Sequence, residues 1–245
     1  MIAVLSFVAL VTAWLSAVAG LGGGTILIAV MYALGMSPVI AVPLHAAVQL
    51  VSNGSRTIAY LPHVNWPAFG WFLLGAVPAP FIMAPLVAQA NPDWIRLGMA
   101  AFILLAIWPQ WISRIRMQGR TGMAVAGGIA GGVGSIVGAS GLLIGPFFLR
   151  RDWAKETVIA TLAAAQAAAH LLKVVAFASF GFAVFDEWEL LLPMALAVIA
   201  GTLLGRLSAG RVAEGQFRLL FRSVLGILAI KLAWDGLSGL GVMLF

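Results

Sequence analysis

The chain has 245 residues, of which 62% are hydrophobic and 9% charged, with a formal net charge of +6 and no cysteine. A soluble domain carries roughly 25% charged residues, and a soluble exterior could not hide this much apolar surface. The basic residues sit mostly in connecting loops, so they read as membrane topology rather than nucleic-acid binding, and the lack of cysteine removes thiol redox chemistry and thiolate metal sites.

Long apolar runs such as Ile2 to Trp14, Ile26 to Leu34 and Trp94 to Ile112 contain few or no charges. A helix needs about 20 such residues to cross the hydrocarbon core. The 28 glycines and 11 prolines are tolerated in membrane helices. A β-barrel would alternate apolar and polar residues, which these runs do not. The expected fold class is therefore an all-α polytopic membrane protein.

The first 19 residues are apolar and end in Ala17-Val18-Ala19, which resembles a signal-peptidase site. No Lys or Arg precedes the run, and the segment has an internal counterpart, so it reads as part of the fold. Residues 2–18 lead into Gly20-Leu21-Gly22-Gly23-Gly24, and a short apolar run follows to Leu34. Three ordinary spans are expected near 38–60, 67–88 and 93–112. After a basic linker at 113–121, residues 122–137 lead into Gly138-Ala139-Ser140-Gly141, followed by Leu142 to Leu149. Spans are expected again near 155–178, 188–208 and 217–243.

The chain is thus written twice. A slide of 117 positions carries Gly24 onto Gly141, Gln49 onto Gln166, Asn53 onto His170, Arg56 onto Lys173 and Tyr60 onto Phe177. Trp66 matches Trp188 only after a small insertion. The expected organisation is a first repeat at 1–112, the linker, and a second repeat at 122–245. Each repeat is a glycine-broken hairpin of short helices followed by three transmembrane helices.

Loop charges set the orientation. Arg114, Arg116 and Arg120 in the linker, and Arg206, Arg211 and Arg218 against Glu214, belong in the cytoplasm. Asp186 and Glu187 suit the outside. Arg150, Arg151 and Lys155 are then inside, while their base-free counterpart near 35–38 is outside. The repeats come out inverted, with both chain ends outside.

An inverted repeat with broken helices places a binding site near the midplane at the repeat interface. Half-helices starting after Gly22, Gly23 and Gly24, and after Ser140 and Gly141, would expose unsatisfied N–H groups and the positive end of the dipole to an anion. The other reading is that these glycines only permit tight helix packing; a break repeated in both halves favours the site. Gln49, Asn53 and Arg56 share one helix face, and Gln166, His170 and Lys173 repeat it. The glutamines lie mid-span, where polar groups are costly and functional. Arg56 toward the cytoplasm and Lys173 toward the outside would draw anions from either side, or else snorkel to the headgroups. Ser52, Ser55 and Ser140 could add hydroxyl donors, although such serines also bond their own backbone, and His45 is a candidate proton carrier. No Asp or Glu lies deep in an expected span except Asp235 near the C-terminal end, so the coupling ion stays open. No Walker motif and no cofactor site are present.

Ala19-Gly20-Leu21-Gly22-Gly23-Gly24, then Pro38-Val39-Ile40-Ala41-Val42, then Asn65-Trp66 resemble the sulfite exporter TauE/SafE-like family, the toluene sulfonate uptake permease type of transporter. The resemblance covers nearly the whole chain. The second copy departs from it, with Ala139-Ser140-Gly141 in place of a triple glycine. It implies export of sulfite, or of an organosulfonate such as sulfoacetate, across the bacterial inner membrane by a secondary transporter. The residues themselves reach an oxyanion and leave sulfur open. An anion channel without alternating access and a non-transporting membrane subunit remain alternatives. A membrane enzyme is disfavoured by scattered histidines and the lack of a deep carboxylate pair. The expected partners are a small anion and the lipid bilayer, and the small-residue faces would allow a homodimer.

Overall fold

The computed structural model describes residues 1–19, 22–107, 117, 119–208 and 214–242. Gly20 and Leu21 of the first break, Arg114 and Arg116 of the linker, the end of the span expected to 112, and Arg211 lie outside the described residues. Every described element is helical: α1 (Ile2–Ala19), α2 (Gly23–Ala33), α3 (Pro38–Ala59), α4 (Trp66–Ala76), α5 (Pro78–Gln89), α6 (Pro92–Ile107), α7 (Gly119–Val137), α8 (Gly141–Phe148), α9 (Lys155–Ser179), α10 (Trp188–Ser208) and α11 (Glu214–Gly239). Short 3-10 turns at Leu61–His63 and Val184–Glu187 precede α4 and α10.

Three stretches among the described residues are long and apolar enough to cross a membrane: Trp66–Gln89, Lys155–Ser179 and Val184–Ser208. The chain is a membrane protein. Large side chains such as Leu74, Ile82, Leu171, Val175 and Leu196 are exposed on these stretches, where lipid is the natural solvent.

Three local features differ from expectation. The span expected at 67–88 is two helices meeting at Val77, because Pro78 and Pro80 have no N–H to carry the hydrogen-bond ladder across. The first arms of the glycine-broken hairpins are not short, since α1 has 18 residues and α7 has 19. The second half starts three residues earlier than expected, at Gly119, and Arg120 there lies over the Trp71 ring at 5.5 Å.

The Asn65-Trp66 pair has a structural job. The Asn65 side chain accepts from the Ala68 N–H at 3.0 Å and caps α4, while its own N–H donates to Thr161 Oγ1 at 2.9 Å. The start of α4 is thereby pinned to α9.

The major helix pairs cross between the two halves. α1 packs along α10, α7 along α4, α3 along α9 and α6 along α11. Small residues allow these approaches: a Cβ on Gly127 would run into the Phe72 carbonyl, and one on Gly201 into the Leu10 carbonyl. α3 and α9 run antiparallel. Val39, Ile40 and Pro43 at the start of α3 share a groove with Gly181 to Val184 beyond the end of α9, whereas Tyr60 and Val64 beyond α3 pack on Ala160 and Ala164 near the start of α9. The largest buried cluster draws on both halves, from Leu5, Ile28 and Leu44 to Phe177, Met194 and Leu225. The centre of the molecule is therefore the α3–α9 pair with the starts of α2 and α8 beside it.

Candidate functional site

The two helix breaks are built alike. Gly22 precedes α2 at φ 101° and Gly138 precedes α8 at φ 84°, both left-handed backbone that glycine adopts without strain. Two or three residues later the backbone passes against a glutamine: a Cβ on Gly24 would lie 3.0 Å from Gln49 Cδ, and one on Gly141 would lie 3.3 Å from Gln166 Oε1.

A cavity of about 40 Å³ lies between these breaks and the α3–α9 pair. One water needs roughly 10–15 Å³ on the same measure, so the space suits a compact ion. Its wall is formed by Ser16, Gly22, Gly24 and Thr25, by His45, Gln49, Ser52, Asn53 and Arg56 of α3, by Ala139, Ser140 and Gly141, and by Gln166 and His170 of α9. Among the described residues, no Asp or Glu takes part in that wall. Several first-turn N–H groups are already engaged, Gly23 with Ser16 Oγ, Thr25 with the Gly22 carbonyl and Leu143 with the Ser140 carbonyl, while Gly24 and Gly141 bring the two helix starts to the cavity.

Eleven of the residues singled out from sequence meet here: Gly22, Gly24, His45, Gln49, Ser52, Asn53, Arg56, Ser140, Gly141, Gln166 and His170. Gly23 and Lys173 do not. Gly23 is buried against α1, where its N–H donates to Ser16 Oγ at 3.1 Å. Lys173 is fully buried, and its Nζ donates to the Gly134 and Gly138 carbonyls at 3.3 and 3.2 Å. It caps the C-terminal end of α7, where a cation complements the helix dipole. Its repeat counterpart Arg56 is only partly buried, lines the cavity, and its side chain has no hydrogen bond or ion pair among the described residues. Matched positions thus hold unmatched roles, and a Lys173 shut off from solvent cannot attract ions from the outside in this conformation.

Ser16 and Thr25 were not singled out from the sequence. Slid by 117 positions they fall on Val133 and Leu142, so a repeat comparison passes over them. The usable signal is their adjacency to the glycine break. Ser55 bonds its own helix through the Ser52 carbonyl at 2.9 Å and does not line the cavity. Asn53 Nδ2 bonds back to the Gln49 carbonyl at 3.0 Å, which fixes its rotamer. His45 faces His170 edge-on, with ring centroids 5.7 Å apart.

A family model for the sulfite exporter TauE/SafE matches residues 5–232, which includes both breaks and every residue of the cavity wall. The chain belongs to the sulfite exporter TauE/SafE family. That makes it a membrane protein of a sulfite and sulfonate transporter type. No curated protein and no solved structure matched the chain. Among the described residues of this TauE/SafE chain, no group of three or more His, Asp or Glu side chains is placed to hold a metal ion.

Proposed function

We propose that this chain is a secondary transporter that exports a small sulfur-containing oxyanion, sulfite first, across the bacterial inner membrane. The observation that carries the reading is the cavity wall: Arg56 with no side-chain partner among the described residues, two mid-helix glutamines, Ser52, Ser140, Asn53 and two helix starts, with no described carboxylate to oppose an anion. Donors already arranged around one cavity bind an anion with little reorganisation, and charge-assisted bonds are the strong ones. Family membership supports sulfur as the central atom. The small volume supports sulfite over the longer organosulfonates.

The helix pairs support two inverted repeats, at 1–112 and 122–245, because α1 meets the counterpart of α4 and α7 meets α4 itself. On that reading the chain ends are periplasmic, Arg56 lies toward the cytoplasm, and Lys173 lies toward the outside. Arg56 on the wall and Lys173 tied to two carbonyls then suit a state loaded from the cytoplasm. The opposite state would free Lys173 and bury Arg56. No serine of the wall is hydrogen-bonded to either histidine, which supports binding rather than nucleophilic catalysis.

The test is flux of radiolabelled sulfite in proteoliposomes. Saturation with counterflow is expected, abolished by Gln49→Leu and Gln166→Leu in folded protein. Non-saturating flux without counterflow would replace the transporter with a channel. Full activity in both variants would remove the cavity from the transport path.

A further inference from the structure

We propose that His45 and His170 form a proton site of the transport cycle, so that one proton enters the cavity with each anion. This rests on the reading of the cavity as an anion site. His45 Nε2 lies 2.9 Å from the Gly24 carbonyl. A carbonyl only accepts, so Nε2 carries the hydrogen, and Nδ1 of the neutral ring is a bare lone pair. His45 is 1% exposed and His170 6%, and Nδ1 of each ring has no hydrogen-bond partner among the described residues. Buried polar atoms are nearly always bonded, and an exception asks for a missing partner.

Both histidines line the oxyanion cavity, and a bare ring nitrogen has no hydrogen to offer an anion oxygen. A proton at Nδ1 turns that acceptor into a donor, and the same ring can then hold both the Gly24 carbonyl and an anion oxygen. Anion and proton therefore stabilise each other in the cavity, and the linkage is reciprocal.

The surroundings limit the number to one. The rings are 5.7 Å apart, and two imidazolium ions there would stand beside Arg56 on α3 and Lys173 on α9. From α2 the titratable group is Tyr32, whose hydroxyl donates to the Ile136 carbonyl at 3.4 Å. α5 and α8 carry no titratable side chain, and α7 has only Arg120, over Trp71. α10 and the turn before it carry Asp186, Glu187, Glu189 and Arg206, all at helix ends. No carboxylate of the wall competes for the proton. It comes from the side to which the cavity is open and leaves with the anion on the other.

The experiment measures sulfite affinity by tryptophan fluorescence from about pH 5 to 8, the range in which histidine changes charge. It compares the intact chain with His45→Gln and His170→Gln at constant ionic strength. Free sulfite also takes up a proton, but equally for all three proteins, so it divides out of the affinity ratios. The intact chain should gain affinity relative to each variant as pH falls, by up to about tenfold per pH unit for one linked proton. Glutamine keeps a donor for the Gly24 carbonyl but carries no proton; if one variant does not fold, the other carries the same comparison. Parallel profiles in all the folded proteins overturn the proton site and leave the anion site standing. No sulfite binding by the intact chain at any pH overturns the anion reading itself.

Discussion

Replacing Gly24 by alanine tests the cavity with a single methyl group. The added Cβ would lie 3.0 Å from Cδ, 3.1 Å from Oε1 and 3.2 Å from Nε2 of Gln49. Ordinary contacts are about 3.5–4.0 Å, so the amide must move by roughly half an ångström and turn away from its donor position. At the matched site the same methyl meets Gln166 at 3.3, 3.5 and 3.6 Å, which is close to ordinary contact. A hydrogen bond to a charged group contributes about 1.5–3 kcal/mol, and each 1.4 kcal/mol is tenfold in affinity. Gly24→Ala should therefore weaken sulfite binding by about tenfold to a hundredfold, and Gly141→Ala by less than about threefold on the same scale. Neither should lower thermal stability, since alanine is better than glycine within a helix by roughly 0.5–1 kcal/mol. The assay is equilibrium titration of purified, monodisperse protein, with melting curves run in parallel. Equal losses at the two sites, or none at Gly24, would refute the placement of Gln49 as an anion donor.

Arg56→Gln should slow sulfite uptake more at low salt than at high salt, because the Debye length shortens from about 30 Å at 0.01 M to about 10 Å at 0.1 M; an equal loss at every ionic strength would argue against attraction by its charge. Lys173→Met leaves the buried Gly134 and Gly138 carbonyls without their donor. At about 1–3 kcal/mol for a buried group left unpaired, the melting temperature should fall by several degrees, and an unchanged melt would contradict the capping role. Gly127→Ala drives a methyl into the Phe72 carbonyl while Gly128→Ala meets nothing within 4 Å, so folded yield should drop in the first and hold in the second. In the loop after α8, the hydrogen bond from Arg150 holds the Asp152 carboxyl below its ordinary value. A depressed carboxylate stabilises above its unfolded value, about 3.9, and loses that effect only as pH falls through the folded one. So exposed a pair is worth little, so Asp152→Asn should lower the melting temperature only slightly at neutral pH, and the difference should close as pH falls through the folded value.

Much of the site was legible in one dimension because its signals are local. A glycine run that interrupts an apolar stretch marks a helix start whichever way the helix is packed. Gln49, Asn53 and Arg56 share a face because of the helical period alone. The repeat then doubled each signal. Lys173 shows where that reasoning stops. It repeats Arg56 in sequence and in helix face, yet its Nζ is tied to the Gly134 and Gly138 carbonyls at the end of α7, a contact between helices that no period within one helix encodes.

Span positions, loop charges, the two glycine breaks and the polar face of α3 follow from composition and periodicity, since the bilayer penalises each residue largely one at a time. The meeting of His45 with His170, the closeness of Gly24 to Gln49, and the entry of Ser16 and Thr25 into the wall depend on how helices far apart in the chain lie against each other. That register comes from side chains interlocking across the α1–α10, α4–α7 and α3–α9 contacts. Interlocking is a property of pairs of surfaces, and no period within one helix encodes it.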